Sequence, residues 1–114
     1  MPFINTKYNR PLSAEKEEAI KTKLGKAIEL IGGKTEQWLM LGFEENCRLW
    51  FRGENDVPMA MVEIQILGQA SESDCERMTA RVCEILSEEL GITPDRVYVN
   101  YTFSTCWGWN GGNF

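Results

Sequence analysis

Along residues 2–8, Ile4, Thr6 and Tyr8 alternate with Asn5 and Lys7, and Asn9-Arg10-Pro11 follows as a turn. The pattern predicts a short first strand. Ser13 then offers a helix N-cap, Glu15, Glu17 and Glu18 crowd the first turn, and Ile20, Leu24, Ala27, Ile28 and Ile31 recur at helical spacing. Gly32-Gly33 supplies the left-handed stop of that amphipathic helix, and Trp38 to Phe43 reads as a second, largely buried strand. A further short strand is expected around Arg48–Arg52, closed by a turn at Gly53-Glu54-Asn55-Asp56. From Met59 to Leu67, Val62, Ile64 and Ile66 face one way and Glu63 and Gln65 the other, which predicts a strand with one buried face. Ser73-Asp74-Cys75-Glu76 reads as a capping box opening a helix with the stripe Cys75, Thr79, Val82, Leu86, Leu90, ended by Gly91. Arg96 to Phe103 alternates again, with Val97, Val99, Tyr101 and Phe103 opposite Arg96, Tyr98, Asn100 and Thr102. The tail from Trp107 to Phe114 is turn-forming and aromatic.

Two halves overlay without a gap: Gly33 to Leu41 against Gly91 to Val99, each preceded by a strand and an amphipathic helix. The expected fold is therefore α+β in two layers, a duplicated β-α-β unit with pseudo-repeats about 2–57 and 58–114. A crossover of helical length makes each strand pair parallel and right-handed, so two units build a four-stranded mixed sheet carrying both helices on one face. The other face, with Arg96, Tyr98, Asn100, Thr102 and many apolar residues, is then bare in a monomer, which predicts a homo-oligomer.

The chain has 114 residues, room for one domain spanning 1–114. Seventeen acidic against twelve basic residues leave a net charge of −5, with no basic run, which argues against a nucleic-acid partner. The longest apolar run, Trp38-Leu39-Met40-Leu41, falls far short of the roughly 20 residues of a membrane span, and no secretory leader is evident, so no membrane association and a cytoplasmic location are expected. Cys47, Cys75, Cys83 and Cys106 contain no C-x-x-C pair and the chain has no histidine. Zinc sites, histidine triads and dithiol redox chemistry thus lose their usual residues, no metal site is expected, and the thiols are expected to be reduced.

The residue blocks resemble one family over essentially the whole chain. Pro2 directly after Met1, the Gly33-Lys34 step, Gly91-Ile-Thr-Pro-Asp-Arg-Val-Tyr-Val-Asn-Tyr101 and Gly108-Trp-Asn-Gly-Gly-Asn-Phe114 are similar to the tautomerase superfamily in its macrophage migration inhibitory factor branch, which includes D-dopachrome tautomerase. The resemblance implies a homotrimer whose sheets wrap a central channel, with active sites at the subunit interfaces. It also implies a cofactor-free keto–enol tautomerase of phenylpyruvate-like 2-oxo acids, in which Pro2, exposed by removal of Met1, shuttles the proton. Lys34 would anchor the substrate carboxylate. The backbone N–H near Leu67 and the neighbouring subunit's Asn100 would hold the substrate, Tyr98 would lie close to Pro2, and Trp38, Trp107 and Phe114 would form an aromatic wall. The family also includes signalling proteins that engage receptors or protein partners, with incidental or vestigial turnover and secretion without a signal peptide as the alternative.

Physical chemistry supplies the reason for that site. A general base near pH 7 must be unprotonated yet basic, and burial beside a cation lowers an amine's pKa toward that range. A proline still acylated by Met1 is an amide with neither lone pair nor proton to exchange. Lys34 otherwise reads as a helix C-terminal cation in water, but the equivalent position in the second half is Ile92, so the fold itself asks for no cation there. Tyr98 and the aromatic residues read equally as packing and interface groups. Two departures stand out. The family's C-x-x-C is Met59-Ala60-Met61-Val62, so thiol-oxidoreductase activity is not supported; the segment from Thr102 to Cys106 is shortened, with Trp107 where the vertebrate proteins carry a smaller residue.

Overall fold

The computed structural model describes residues 1–114. Strand β1 (Pro2–Tyr8) leads into α1 (Ala14–Ala27), a 3-10 turn (Ile28–Leu30) and β2 (Met40–Glu44). Strand β3 (Ala60–Leu67), α2 (Glu72–Leu90) and β4 (Val97–Ser104) repeat the order, and a small hairpin, β5 (Gly108–Trp109) and β6 (Gly112–Asn113), ends the chain. The sheet order is β2-β1-β3-β4, with β1 parallel to β2, β3 parallel to β4, and β1 antiparallel to β3. Two β-α-β units thus meet at the β1–β3 seam, the α+β architecture that the repeated pattern requires. No helix is long and apolar enough to cross a membrane.

The duplication holds in detail. Gly33 and Gly91 both adopt positive φ, +79° and +66°, where glycine alone has no steric penalty. Each is followed by a 3-10 turn, Glu36–Trp38 in the first half and Pro94–Arg96 in the second. Ser13 caps α1 by accepting from Lys16 N–H, and Ser71, its counterpart in the repeat, caps α2 by accepting from Asp74 N–H at 3.1 Å. The cap expected at Ser73 is thereby corrected: Ser73 lies inside the first turn, and only Ser71 has the extended backbone that lets its hydroxyl reach the third amide. Ser71→Ala should lower stability by about 1 kcal/mol, read as a fall in urea midpoint. Ser73→Ala should change it by no more than about 0.5 kcal/mol; equal effects would contradict the assignment.

Both helices lie on one face of the sheet, over Ile4, Val62, Ile64 and Ile66, all fully buried. From α1, Ile20, Leu24, Ala27 and Ile28 enter the core, followed by Ile31, as the spacing predicts. From α2 the buried residues are Met78, Val82, Ile85 and Leu86, so the expected stripe is shifted: Cys75, Thr79 and Leu90 flank it half-buried. Tyr101 crosses from β4 to α2, its hydroxyl 2.9 Å from both Cys75 O and Thr79 Oγ1, and burial pushes its pKa up to about 12. On the outer helix surface Lys23 bridges Glu88 and Glu89 at 2.7 and 2.6 Å.

Three further expectations are corrected. Trp38 ends a 3-10 turn, and β2 starts at Met40. As an edge strand with one uncovered face, β2 is half-exposed instead of buried, and Met40 stands out at 68%. Arg48–Arg52 forms no strand: one bridge joins Phe51 to Glu54 around Arg52 and Gly53, both at positive φ, a tight turn with no sheet edge beside it. The second sheet face is mostly polar. Its apolar residues are Phe3, Met40, Met61, Leu67 and Tyr98, set among Asn5, Lys7, Glu44, Glu63, Gln65, Asn100 and Thr102. There Asn5 donates to Glu44 and Lys7 pairs with Glu63 across strands. Arg96 leaves this face and turns to Phe51, its guanidinium 5.3 Å from the ring centroid.

Candidate active site

Pro2 opens β1 and is level with Ile66 of β3 and, one strand further, Phe103 of β4. It is buried by the alternation that buries Ile4 and Thr6. A ring without an N–H costs nothing at the first position of a strand. Leu67 ends β3 beside it: its N–H donates to Met1 O at 3.0 Å, and its carbonyl accepts from Lys34 Nζ at 3.2 Å. Lys34 is aimed there by the left-handed Gly33 and by its own N–H bond to Ile31 O, 3.0 Å long. The helix stop of the first repeat therefore delivers a cation to the amino-terminal end of β1.

The Met1 α-amino group reports the electrostatics. Its pKa is held below the ordinary value, first by burial and then by repulsion from, and hydrogen bonding with, Lys34. No carboxylate lines the adjoining cleft to reverse that effect.

The cleft has a volume of about 460 Å³. Pro2, Trp38 and Trp107 line it, as do Met40, Gln65 and Trp109, which were not among the expected site residues. Trp38 meets Trp109 edge-to-face with centroids 5.0 Å apart, and Phe114 stacks on Trp109 at 6.0 Å, so Phe114 joins the wall through Trp109. The signal for Trp109 lies in the turn-forming Gly108-Trp109-Asn110 segment; Gln65 is legible as the polar partner of Ile64 and Ile66 but carries no mark of a site.

Tyr98 and Asn100 are elsewhere. Tyr98 is level with Met61 and Lys7, five residues along β4 from the level of Pro2, about 16 Å at strand rise. It packs edge-to-face on Phe51 at 5.2 Å and borders an apolar groove of about 220 Å³ with Trp50 and Met61. Asn100 is level with Glu63 and Asn5 on the uncovered face. Within one chain neither reaches the Pro2 cleft, so the expected proximity of Tyr98 to Pro2 does not arise inside the monomer.

A duplicated β-α-β sheet with a buried proline and a lysine at the start of its first strand defines the tautomerase-superfamily architecture. Comparison with known proteins narrows it. The family model described as macrophage migration inhibitory factor (MIF) matches residues 1–114. The mouse macrophage migration inhibitory factor is 29% identical, over 100% of this chain and 99% of its own length. The crystal structure of Leishmania major MIF2 superimposes with a TM-score of 0.93 at 31% identity, covering 100% of this chain and 97% of that one. A homologue from Prochlorococcus marinus gives 0.82 at 26% identity, covering 98% of each chain. The chain belongs to the macrophage migration inhibitory factor family. That membership supports isomerase activity in general.

Proposed function

We propose that the protein is a cofactor-free keto–enol tautomerase of phenylpyruvate-like 2-oxo acids, active as a homotrimer once Met1 is removed. The observation that carries this reading is the placement of the amine. An amino group one residue before Pro2 is already depressed by burial and by Lys34, and moving the terminus to Pro2 puts the amine on a buried residue. A secondary amine so placed is a base matched to neutral pH, and its ring fixes the lone-pair direction. In enolisation it takes the proton from C3 as the C–H pair becomes the enolate double bond; a proton is then delivered to the enolate oxygen. Ketonisation runs the steps in reverse, and no redox change or cofactor is involved.

Removing Met1 also removes the carbonyl that Leu67 N–H serves, which leaves that N–H and the Lys34 ammonium as two donors beside the start of β1. Such a pair suits a substrate carboxylate. The aromatic wall of Trp38, Trp109 and Phe114, with Trp107, suits an aryl side chain. Trimerisation would wrap the sheets around a central channel and bring a neighbour's Tyr98 and Asn100 toward the cleft. The test is ketonisation of phenylpyruvate enol on a sample whose intact mass shows Met1 absent. No turnover overturns the proposal, and so does full activity in protein that keeps Met1.

Lys34→Ala adds a check with a defined sign. A nearby cation disfavours the ammonium, so its loss raises the Pro2 pKa and moves the rising limb of kcat/KM to higher pH. KM should rise roughly 10- to 100-fold, the equivalent of one charged hydrogen bond. An unmoved pH profile would detach Lys34 from Pro2.

The mouse relative is named for inhibiting macrophage migration, which favours a second reading: a protein-interaction role, with turnover incidental or vestigial.

A further inference from the structure

Trp107 borders two cavities. With Gln65 and Gly108 it borders both the 460 Å³ Pro2 cleft and a separate cavity of about 270 Å³ completed by Thr102, Ser104 and Cys106. Gly108 has no side chain and Gln65 is exposed, so the Trp107 indole is the one large aromatic group that the two linings share.

Its backbone is held from both directions. Phe114 N–H donates to Trp107 O at 3.0 Å through the closing hairpin. On the preceding side Ser104 Oγ donates to Cys106 O at 2.8 Å and accepts from Cys106 N–H at 3.2 Å. The cavities also differ in character: the Pro2 cleft is mainly apolar and aromatic, whereas its neighbour presents the Thr102 and Ser104 hydroxyls, and neither is lined by a charged side chain.

From this arrangement we infer that Trp107 is the specificity-determining partition of the Pro2 cleft, restricting it to slender 2-oxo acids with one ring or an unbranched chain and no second charge. The inference rests on the tautomerase reading of Pro2. Two effects of removing the indole act in the same direction. Space opens into the second cavity for a fused ring, and a single ring loses a flat surface to pack on.

The test measures calorimetric dissociation constants of the non-reacting carboxylates 3-phenylpropanoate and 3-(2-naphthyl)propanoate, using Met1-free parent, Trp107→Ala and Trp107→Phe. The parent should prefer the phenyl compound, Trp107→Ala should shift the preference toward naphthyl by at least about tenfold, and Trp107→Phe by about threefold. If Trp107→Ala does not fold, the Trp107→Phe shift decides alone. A ratio unchanged to within about twofold, or no binding of either compound to the parent, overturns the inference. Phenylpyruvate turnover by the same parent sample separates the two claims: a shifted ratio without turnover defeats the tautomerase reading and leaves the partition standing.

Discussion

Replacing Pro2 by alanine should lower kcat/KM for phenylpyruvate ketonisation by roughly 10²- to 10⁴-fold, the contribution of a positioned general base. The variant keeps an amino group at the same point of the chain, so the loss measures what the ring and the secondary amine add: a directed lone pair and the proton affinity of that amine. Lys34 and Leu67 N–H are untouched, so KM should move little while kcat falls, the pattern of an interaction made in the transition state. The fold should tolerate the change, because Pro2 lies at the first position of β1 and contributes no backbone donor. Steady-state kinetics on mass-verified, Met1-free protein, with the thermal midpoint as a folding control, decide the matter. Parent-level turnover in Pro2→Ala would remove Pro2 from the mechanism. Retained binding to a protein partner alongside lost turnover would show the two roles of the proposed alternatives to be separable.

Ile64→Ala should cost 2–5 kcal/mol of stability, the usual penalty for emptying a buried aliphatic site that cannot collapse. Ile64 is fully buried on β3, between Ile4 of β1 and Tyr101 of β4, with both helices above the same face. The expected result is a lower urea midpoint with an unchanged slope. Gln65→Ala, one residue along on the opposite face, should shift stability by no more than about 0.5 kcal/mol. A larger loss at Gln65 than at Ile64 would mean that the sheet faces have been assigned the wrong way round.

The core was readable because its signal is local and periodic. Alternation in β1, β3 and β4 and helical spacing in α1 state which side of each element is apolar, and burial follows that statement. The α2 cap is not resolved by sequence: the duplication sets Ser71 opposite Ser13, but Ser73 with Glu76 matches the capping motif, and only backbone geometry separates the two. Trp38 was misplaced in a strand because an apolar run carries no mark of where a 3-10 turn gives way to extended chain. The Arg48–Arg52 segment has strand-like side chains, but a strand also needs a free edge, and edges are properties of the assembled sheet.

For the site, sequence pattern and family resemblance together singled out Pro2, Lys34 and the aromatic tail, yet they could not measure distances along strands. Registers set Pro2 level with Phe103 and Tyr98 level with Lys7, which divides the expected site residues into two groups. Pairing registers arise from long-range packing of one strand on another, and no single strand encodes them.

The amino-acid sequence by itself determined the two-layer duplicated architecture, the buried face of most elements and the chemical groups present, because periodicity and residue type are local. Tertiary structure alone decided that Lys34 and Leu67 converge at the amino-terminal end of β1, that Trp109 and Gln65 join the cleft, and that Trp107 borders two cavities. Those relations join residues far apart in the chain, and only the folded backbone sets the distances between them.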